Sequence, residues 1–481
     1  MRLSTKVAIN TLVQIISKGL ATVLGLAAVA IITRELGQNG FGEYTTIITF
    51  LSFFGIVADL GLTLVTIQII SQPEINQEKA LGNLLALRLV SAVFFLGLAP
   101  IAVLFFPYAA EVKTGVAITS FSFLFIALNQ ILVAIFQKNL RMDKVSIAEV
   151  ASRLVLLFGI IITARNDYGL NGILVATVAS SLVSFLLHFF FSRRFARIRL
   201  QFDMDYWKMI IKKSWPLAIT IALNLIYLKS DTLFLSFIPR PSEIGIIAEV
   251  GIYGAAYKVI DVLITIPFMF AGIVLPILAK RWAENNKKSF FSILQKSFDA
   301  MIAVALPIAV GTQFVAVDVM RVIAGPEFSD SGPILRVLIW AGTAIFLGNM
   351  FAHAIIALEK QKEIIKAYVF VAVSSLVGYL VFIPLFSYYG AAWITIYSEF
   401  AIALASYLVI WKNTRFRPDF TVLFKTLIAC AIMSTSILFL KKFQVNDLVL
   451  TIAIAATVYA FSLYSLKVLT RKEVMELLNK A

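Results

Sequence analysis

The stretch TLVQIISKGLATVLGLAAVAIIT, residues 11–33, is long and apolar enough to cross a lipid bilayer, yet it carries Lys18 near its middle. A helix needs about 20 apolar residues to span roughly 30 Å of hydrocarbon. A lone ammonium at the bilayer centre costs about 2.5–3.5 kcal/mol, so Lys18 requires a polar environment that a single helix cannot supply. The stretch therefore predicts a membrane span within a bundle of helices.

The rest of the chain has the composition of a polytopic membrane protein. It has 481 residues, of which 60% are hydrophobic and 14% charged, whereas soluble domains carry about 25% charged residues. Apolar runs predict fourteen spans, at residues 8–32, 44–70, 80–106, 115–136, 146–164, 170–191, 214–237, 250–279, 295–319, 333–357, 364–386, 390–411, 421–440 and 447–467. The first run is too long for a signal-peptide core, so we expect it to remain as the first span.

Basic residues are distributed as membrane topology requires. The net charge is +15. Outside these spans, the N-terminal segment, the even-numbered loops and the C-terminal segment hold 25 Lys and Arg residues, against 7 in the odd-numbered loops. The positive-inside rule then predicts that both termini are cytoplasmic, which agrees with an even number of spans. Because the positive charge follows topology, we predict no nucleic-acid partner, and we expect the densest basic segment, residues 192–214, to meet membrane lipids.

Two halves of the chain resemble each other. GFGEYTTIITFLSFFGIVADLGL from Gly40 and GIYGAAYKVIDVLITIPFMFAGI from Gly251 each begin 22 residues after a lysine, Lys18 and Lys229. Two further pairs, from residues 172 and 390 and from residues 128 and 347, follow in the same order. The pattern predicts two six-helix lobes, residues 1–200 and 201–415, followed by helices 13 and 14 and a tail, 416–481. Such parallel repeats are typical of secondary transporters, with the substrate site at the repeat interface.

The N-terminal segment AINTLVQIISKGLATVLGLAAVAIITRELGQNGFGEYTTIITFLSFFGIVADLGL, with its LGxxGFGEY motif at residues 36–44, resembles a known transporter family. It is similar to the polysaccharide-export branch of the multidrug/oligosaccharidyl-lipid/polysaccharide superfamily, the Wzx-type flippases. The resemblance implies two lobes around a central cavity. It also implies transfer of an undecaprenyl-diphosphate-linked oligosaccharide across the cytoplasmic (inner) membrane, with a polysaccharide polymerase as a partner.

Charged residues inside the spans are the candidate site residues, because intramembrane ionisable groups mark substrate or ion pathways. We predict that Lys18, Lys229, Arg88 and Lys258 bind the substrate diphosphate, and that Asp59, Glu399 and Asp261 are candidates for coupling to H⁺ or Na⁺. For the lysines, neutralisation of Asp59 or Asp261 is the structural alternative. Glu149 and Arg153, four residues apart, predict a structural pair, and both histidines, His188 and His353, are expected to be satisfied within the bundle.

Several function classes lack their motifs in this chain. There is no GxxxxGK[ST] loop for ATP, no HExxH and no cysteine cluster, since Cys430 is the only cysteine. We therefore expect no enzyme activity, metal or cofactor. Energy for transport should then come from an ion gradient, the membrane potential or consumption of the product. Three alternatives stay open: a flippase of the lipid-linked peptidoglycan precursor, a cation-coupled multidrug exporter, and a membrane-embedded polysaccharide polymerase or ligase.

Overall fold

A computed structural model of the protein describes residues 3–72, 75–444 and 447–468, and those residues form helices and connecting turns without any β-strand. The helices are α1 (Leu3–Asp59), α2 (Leu62–Ile70), α3 (Gln77–Ala102), α4 (Ala110–Lys138), α5 (Met142–Arg165), α6 (Gly169–Ser192), α7 (Met204–Phe237), α8 (Ile246–Leu263), α9 (Thr265–Ala283), α10 (Lys287–Ala324), α11 (Ser331–Ala357), α12 (Gln361–Thr414), α13 (Thr421–Lys442) and α14 (Leu448–Ser465). Short 3₁₀ turns lie at Val103–Phe105 and Pro326–Asp330.

The predicted spans correspond to these helices. Eleven helical stretches in the described residues are long and apolar enough to cross a membrane. Two of them, Ile16–Asp59 and Gln361–Thr414, each hold two predicted spans joined at a kink, where Gly37 (φ 60) and Ser387 (φ 50) leave the helical conformation. The remaining predicted span lies within α7. The prediction of an all-α, multi-pass membrane protein with fourteen spans is therefore confirmed.

The second predicted span is broken near its middle, which its apolar pattern did not indicate. The first part ends at Asp59 with α1, and the second begins at Leu62 with α2. Leu60 (φ 49) and Gly61 (φ 73) between them adopt left-handed conformations, which glycine accepts far more readily than leucine. Such a break leaves the last carbonyl groups of α1 without helical partners, so other groups must bond them within the membrane.

Contacts divide the chain into two compact units. Unit 1 holds Met1–Gly254 with Ile323–Glu327, and unit 2 holds Ala255–Val322 and the chain from Phe328 onward. In unit 1, α7 packs against α1, α2 and α3; in unit 2, α13 and α14 pack against each other. The lobe limits 1–200 and 201–415 and the separate segment 416–481 describe a sequence repeat rather than packing, and they stay predictions.

Small residues bring helices close together in both units. In unit 1 a Cβ added to Gly159 of α5 would lie 2.7 Å from the Cβ of Ala176 in α6, and in unit 2 one added to Gly348 of α11 would lie 3.0 Å from that of Ala403 in α12. In a membrane this close van der Waals packing, rather than transfer out of water, holds helices together. Cys430 is a free thiol buried in the core of unit 2.

Candidate functional site

The break in the second span is held by Arg88 of α3. Its guanidinium forms an ion pair with Asp59, at 2.7 Å between Nη1 and Oδ1, and it donates to the carbonyl oxygens of Ala58 (3.1 Å) and Ala127 (3.0 Å). Arg88 is buried, with 1% of its surface exposed. It therefore caps the carbonyl end of α1 and neutralises Asp59 at once, as a cation at a helix C-terminus should.

Two neutral side chains complete this network. The Thr63 hydroxyl, in the first turn of α2, donates to the Asp59 carboxylate and lies 3.0 Å from the amide oxygen of Gln130. The Arg88 guanidinium also donates to that amide oxygen, and Ser91 donates to the Ala58 carbonyl at 2.8 Å. The cationic partner of Asp59 lies on a different helix, α3, so spacing along its own helix does not indicate it.

Lys18 lies near a carboxylate other than the two that were considered. Its Nζ is 3.9 Å from Oε1 of Glu149 in α5, and about half of the Lys18 side chain is exposed. Among the residues that the structure describes, the Glu149 carboxylate has no ion pair with Arg153, so the predicted pair four residues apart does not form within 4.0 Å. Glu149 instead links α5 to α1, because its helix turns this carboxylate toward Lys18.

Glu149 and Arg153 line a cavity of 510 Å³ inside unit 1, which we call the polar cavity. Its other lining residues are Thr63, Ile67, Ser122, Ile126, Asn129, Gln130, Val133, Gln137, Val145, Ser152, Leu156, Thr177, Ser180, Ser181, Ser184 and His188, from α2, α4, α5 and α6. Several serines use their hydroxyl hydrogens on protein acceptors, as Ser180 does on the Ser152 carbonyl at 2.7 Å. Their remaining lone pairs make the cavity rich in hydrogen-bond acceptors.

The other lysine of the repeat, Lys229, lies on α7, which belongs to unit 1. Two residues further along α7, the buried Asp231 carboxylate accepts a hydrogen bond from the Tyr253 hydroxyl at 2.6 Å and one from the Thr232 backbone NH, also at 2.6 Å. Lys229 is half-buried. The hydrogen of the Tyr253 hydroxyl is therefore used inside the protein.

In unit 2 the predicted charges are Lys258, Asp261 and Glu399. Lys258 Nζ lies 3.9 Å from Asp261 Oδ2 along α8, and about a third of each side chain is exposed. Glu399 is buried on the second part of α12, where its charge acts on Tyr368 of the same helix. The close spacing of Lys258 and Asp261 along the helix placed them together, as expected from positions three residues apart.

Unit 2 also contains a cavity of 510 Å³ of the opposite character, which we call the apolar cavity. It is lined by Val259, Leu263, Val304, Pro307, Ile308, Gly311, Thr312, Val315, Val319, Leu335, Met433, Ile437, Thr451, Ile452, Ala455, Ala456 and Tyr459. The hydroxyls of Thr312, Thr451 and Tyr459 donate to backbone carbonyls at 2.6, 2.8 and 2.6 Å. The lining therefore offers hydrocarbon, with its hydroxyl hydrogens already used.

Outside the spans, one ion pair fixes the start of α7. Lys79 Nζ lies 2.8 Å from Asp203 Oδ2, and the Asp203 carboxylate also accepts hydrogen bonds from the backbone NH groups of Asp205 and Tyr206. The hydrogen bond from Lys79 lowers the pKa of Asp203, with a smaller contribution from the Tyr206 NH. The same bond raises the pKa of Lys79. Asp203 therefore serves as both an N-cap and an ion-pair partner.

The structure brings together some of the predicted residues and adds others. Asp59 and Arg88 form one network, and Lys258 and Asp261 form another. The polar cavity adds Asn129 and His188, which were not among the predicted site residues. A histidine within an apolar span was the sequence feature that pointed to His188. The apolar pattern does not show which of its ring nitrogens has a hydrogen-bond partner.

Comparison with known proteins agrees with this architecture. The model of the family described as polysaccharide biosynthesis protein matches residues 4–282. The chain belongs to this family. Among curated proteins it is similar to "Probable flippase AglR" of Haloferax volcanii, at 21% identity over 258 residues, which is 52% of this chain and 53% of that protein. The match thus spans about half the length of the curated relative.

Solved structures share the fold of this family member at low sequence identity. The lipid II flippase MurJ in an inward closed conformation superposes with a TM-score of 0.75 at 15% identity, covering 95% of this chain and 98% of MurJ. An inward-facing multidrug resistance transporter of the MATE family, in the MOP superfamily, gives 0.67 at 13% identity, covering 84% and 98%. A MOP superfamily transporter from Pyrococcus furiosus gives 0.58 at 13% identity, covering 85% and 95%. The chain therefore shares the fold of these three transporters.

Proposed function

We propose that the protein is a flippase that moves an undecaprenyl-diphosphate-linked oligosaccharide across the cytoplasmic membrane, with both termini cytoplasmic. The observation that carries this proposal is the apolar cavity of unit 2. A polyprenyl chain is a hydrocarbon. It can enter this lining without burying an unbonded hydroxyl group, because the hydroxyls already donate to backbone carbonyls. A carrier of soluble sugars would have no use for such a cavity. Membership of the polysaccharide biosynthesis family supports the oligosaccharide as the polar part of the substrate.

The diphosphate requires cationic partners. In unit 2, Lys258 directly precedes Val259 of the apolar cavity and is a third exposed. In unit 1, Lys18 is half-exposed and its carboxylate neighbour is 3.9 Å away. Lys18 and Lys229 of unit 1 and, separately, Lys258 of unit 2 are the residues that we propose to contact a diphosphate. Arg88 differs, because its donors are used on Asp59 and on backbone carbonyls, and its role is to hold the broken span.

Energy for transport comes, in this proposal, from a gradient of H⁺ or Na⁺. Glu399 and Asp261 are the carboxylates proposed to sense it, since ionisable acids deep in membrane spans mark ion pathways. Asp59, the third candidate, is neutralised by the Arg88 guanidinium. A polysaccharide polymerase is the proposed partner that consumes the flipped product. The protein performs no covalent chemistry itself in this scheme.

The experiment is reconstitution in proteoliposomes with a fluorescent undecaprenyl-diphosphate oligosaccharide, following its transfer between leaflets. Gly311→Leu fills the apolar cavity, because a Cβ at Gly311 meets only the Met433 methyl, at 3.7 Å. Gly97→Leu is the matched control, since a Cβ at this exposed position on α3 meets nothing within 4 Å. We expect Gly311→Leu to abolish transfer and Gly97→Leu to preserve it.

The same assay separates the alternatives. Transfer of the peptidoglycan precursor in preference to the oligosaccharide would assign the first alternative, and export of cationic drugs without lipid transfer would assign the multidrug one. Equal transfer by Gly311→Leu and Gly97→Leu would remove the apolar cavity from the mechanism.

A further inference from the structure

In the part of the chain that the structure describes, only one of the two ring nitrogens of His188 in α6 has a hydrogen-bond partner. Nδ1 lies 2.7 Å from the carbonyl oxygen of Ser184. A carbonyl oxygen only accepts, so Nδ1 carries the hydrogen of the neutral ring and Nε2 carries the lone pair. Within the described residues Nε2 is buried and has no hydrogen-bond partner. The residue is 4% exposed and lines the polar cavity.

Asn129 of α4 presents a second buried acceptor to the same cavity. Its amide nitrogen donates to the Ser184 hydroxyl at 3.2 Å, while its amide oxygen is buried and finds no donor in the part of the chain that the structure describes. The Ser184 hydroxyl is also 3.4 Å from His188 Nδ1. A buried acceptor without a donor destabilises the fold, so two such acceptors joined through Ser184 indicate a ligand that brings a hydrogen.

Charged groups of both signs lie around His188 in the polar cavity. Three titratable side chains line the polar cavity: His188 itself, with Glu149 and Arg153 from α5. The lining residues from α2 and α4 are uncharged. The ammonium of Lys18 in α1 lies 3.9 Å from the Glu149 carboxylate.

We propose that His188 Nε2 is a proton-binding site of the polar cavity, and that its protonation couples transport to a proton gradient. This rests on the proposed function, since it names the coupling ion and adds a nitrogen to the carboxylates considered above. The proton adds to the Nε2 lone pair, and the imidazolium then donates from both nitrogens, satisfying an acceptor of the cavity without breaking the bond to Ser184. Sodium is disfavoured at this nitrogen, because hard cations take oxygen ligands.

The chain supplies its own control in His353 of α11. It is the other of only two histidines, and its Nδ1 bonds the carbonyl of Asn349, four residues earlier, at 2.8 Å. His188 makes the same hydrogen bond to the carbonyl four residues earlier, but His353 does not line the polar cavity. A substitution that acts through the helix alone should have equal effects at both positions.

The first test is NMR of ¹⁵N-histidine-labelled protein in lipid nanodiscs without substrate, where His353→Gln identifies the His188 signals. We expect the His188 nitrogens to titrate reversibly in folded protein between about pH 5 and pH 8, the range in which histidine changes charge. A ring that stays neutral until the protein unfolds overturns the proposal. This measurement requires neither substrate nor transport, so it stands if the proposed function fails.

The second test is gradient-dependent transfer in proteoliposomes. We expect His188→Gln to retain slow transfer without a gradient but to lose the acceleration caused by an imposed proton gradient, while His353→Gln keeps it. Acceleration that persists in His188→Gln overturns the coupling role. If His188 titrates but neither protein transfers the lipid-linked oligosaccharide, the proton site stands and the substrate assignment falls.

Discussion

Arg88 and Asp59 form an ion pair 2.7 Å long between α3 and the end of α1, inside the region predicted to cross the membrane. The pair exists because the second span breaks at Leu60 and Gly61, which exposes the Ala58 carbonyl that Arg88 also bonds at 3.1 Å. Broken helices at membrane depth are features of transporter binding sites. One arginine here satisfies a freed backbone carbonyl and a carboxylate together.

Removing one member of this pair should destabilise the protein strongly. Asp59→Asn leaves the Arg88 charge buried without its counter-ion, and Arg88→Gln leaves Asp59 likewise, so we expect each to lower the free energy of unfolding by roughly 3–5 kcal/mol. The double variant should lose less than the sum of the two single variants, with an interaction energy of about 0.5–3 kcal/mol. Chemical denaturation in detergent measures all three. Asp59→Asn with normal stability and no gradient dependence would instead assign proton or sodium coupling to Asp59.

A substitution at Gly61 should show how far the break depends on glycine. In Gly61→Ala the alanine would have to adopt a left-handed φ of +73, and its Cβ would lie only 2.6 Å from the Ser214 carbonyl oxygen. Gly169→Ala is the matched control, because Gly169 also has a positive φ, +56, but a Cβ there meets nothing within 4 Å. We expect Gly169→Ala to cost about 1–2 kcal/mol of stability, the penalty of the left-handed conformation. When both variants are measured by thermal shift, Gly61→Ala should lower stability more than Gly169→Ala. An equal loss of stability would show that Ser214 moves away from the new Cβ.

The ion pair at the start of α7 predicts an acid-dependent loss of stability. The hydrogen bond from Lys79 holds the pKa of Asp203 below its ordinary value, so its contribution is present above the unfolded pKa of about 3.9 and is lost as the pH falls through the folded pKa. Asp203→Asn keeps a capping oxygen but loses the charge, so it should remove this acid dependence together with the stability that the ion pair adds at neutral pH. Asp203→Ala also loses the cap and should lower stability at neutral pH further. Thermal unfolding as a function of pH tests both variants. If Asp203→Asn loses as much stability at low pH as the unsubstituted protein does, other carboxylates cause that loss.

The number and type of helices follow from the sequence, while the contents of the two cavities do not. Residues 115–136 carry no charge and are mostly apolar, and a run of this length in a membrane is expected to form a helix. Because apolar residues surround the few polar ones on every side, the run does not show which face of the helix meets protein. Asn129 and His188 therefore gave no sign that they share Ser184, which lies 55 residues beyond Asn129.

Local ion pairs show the same limit. Positions three apart on α8 placed Lys258 beside Asp261, at 3.9 Å. Glu149 had an equally favourable spacing to Arg153 but lies near Lys18 of α1 instead. Helix geometry allows the local pair without requiring it, because packing of α1 against α5 decides which cation is nearer. Pairs between helices, such as Asp59 with Arg88, need the fold before they can be seen.

Reporter fusions should place the basic loop between α6 and α7 in the cytoplasm. The excess of Lys and Arg in the even-numbered loops motivates this expectation. An alkaline phosphatase fused after residue 205 should be inactive, while a fusion in the odd-numbered loop after residue 241 should be active. Phosphatase activity from the fusion at 205 would overturn the predicted orientation of both termini.

Lys18 should contribute to substrate affinity and little to stability. Its ion pair with Glu149 is 3.9 Å long, and the two side chains are 48% and 32% exposed, so the pair is worth about 0–1 kcal/mol. We therefore expect Lys18→Gln to reach the membrane at normal levels. A charge-assisted bond to the diphosphate is worth about 1.5–3 kcal/mol, so the Kd for undecaprenyl diphosphate should rise roughly 10-fold to 100-fold.

Charge rather than shape should decide the outcome at Lys18. Lys18→Arg keeps the positive charge and should retain much of the binding, although a guanidinium binds phosphate through donors in a fixed bidentate geometry. Lys229→Gln and Lys229→Arg should repeat this pattern if the repeat-related lysine meets the same ligand. Glu149→Gln separates the two roles of Lys18, because it removes the counter-ion and leaves the ammonium in place. Weaker binding in Lys18→Gln with normal binding in Glu149→Gln supports a diphosphate contact. Equal binding in every variant would show that Lys18 serves only to neutralise Glu149.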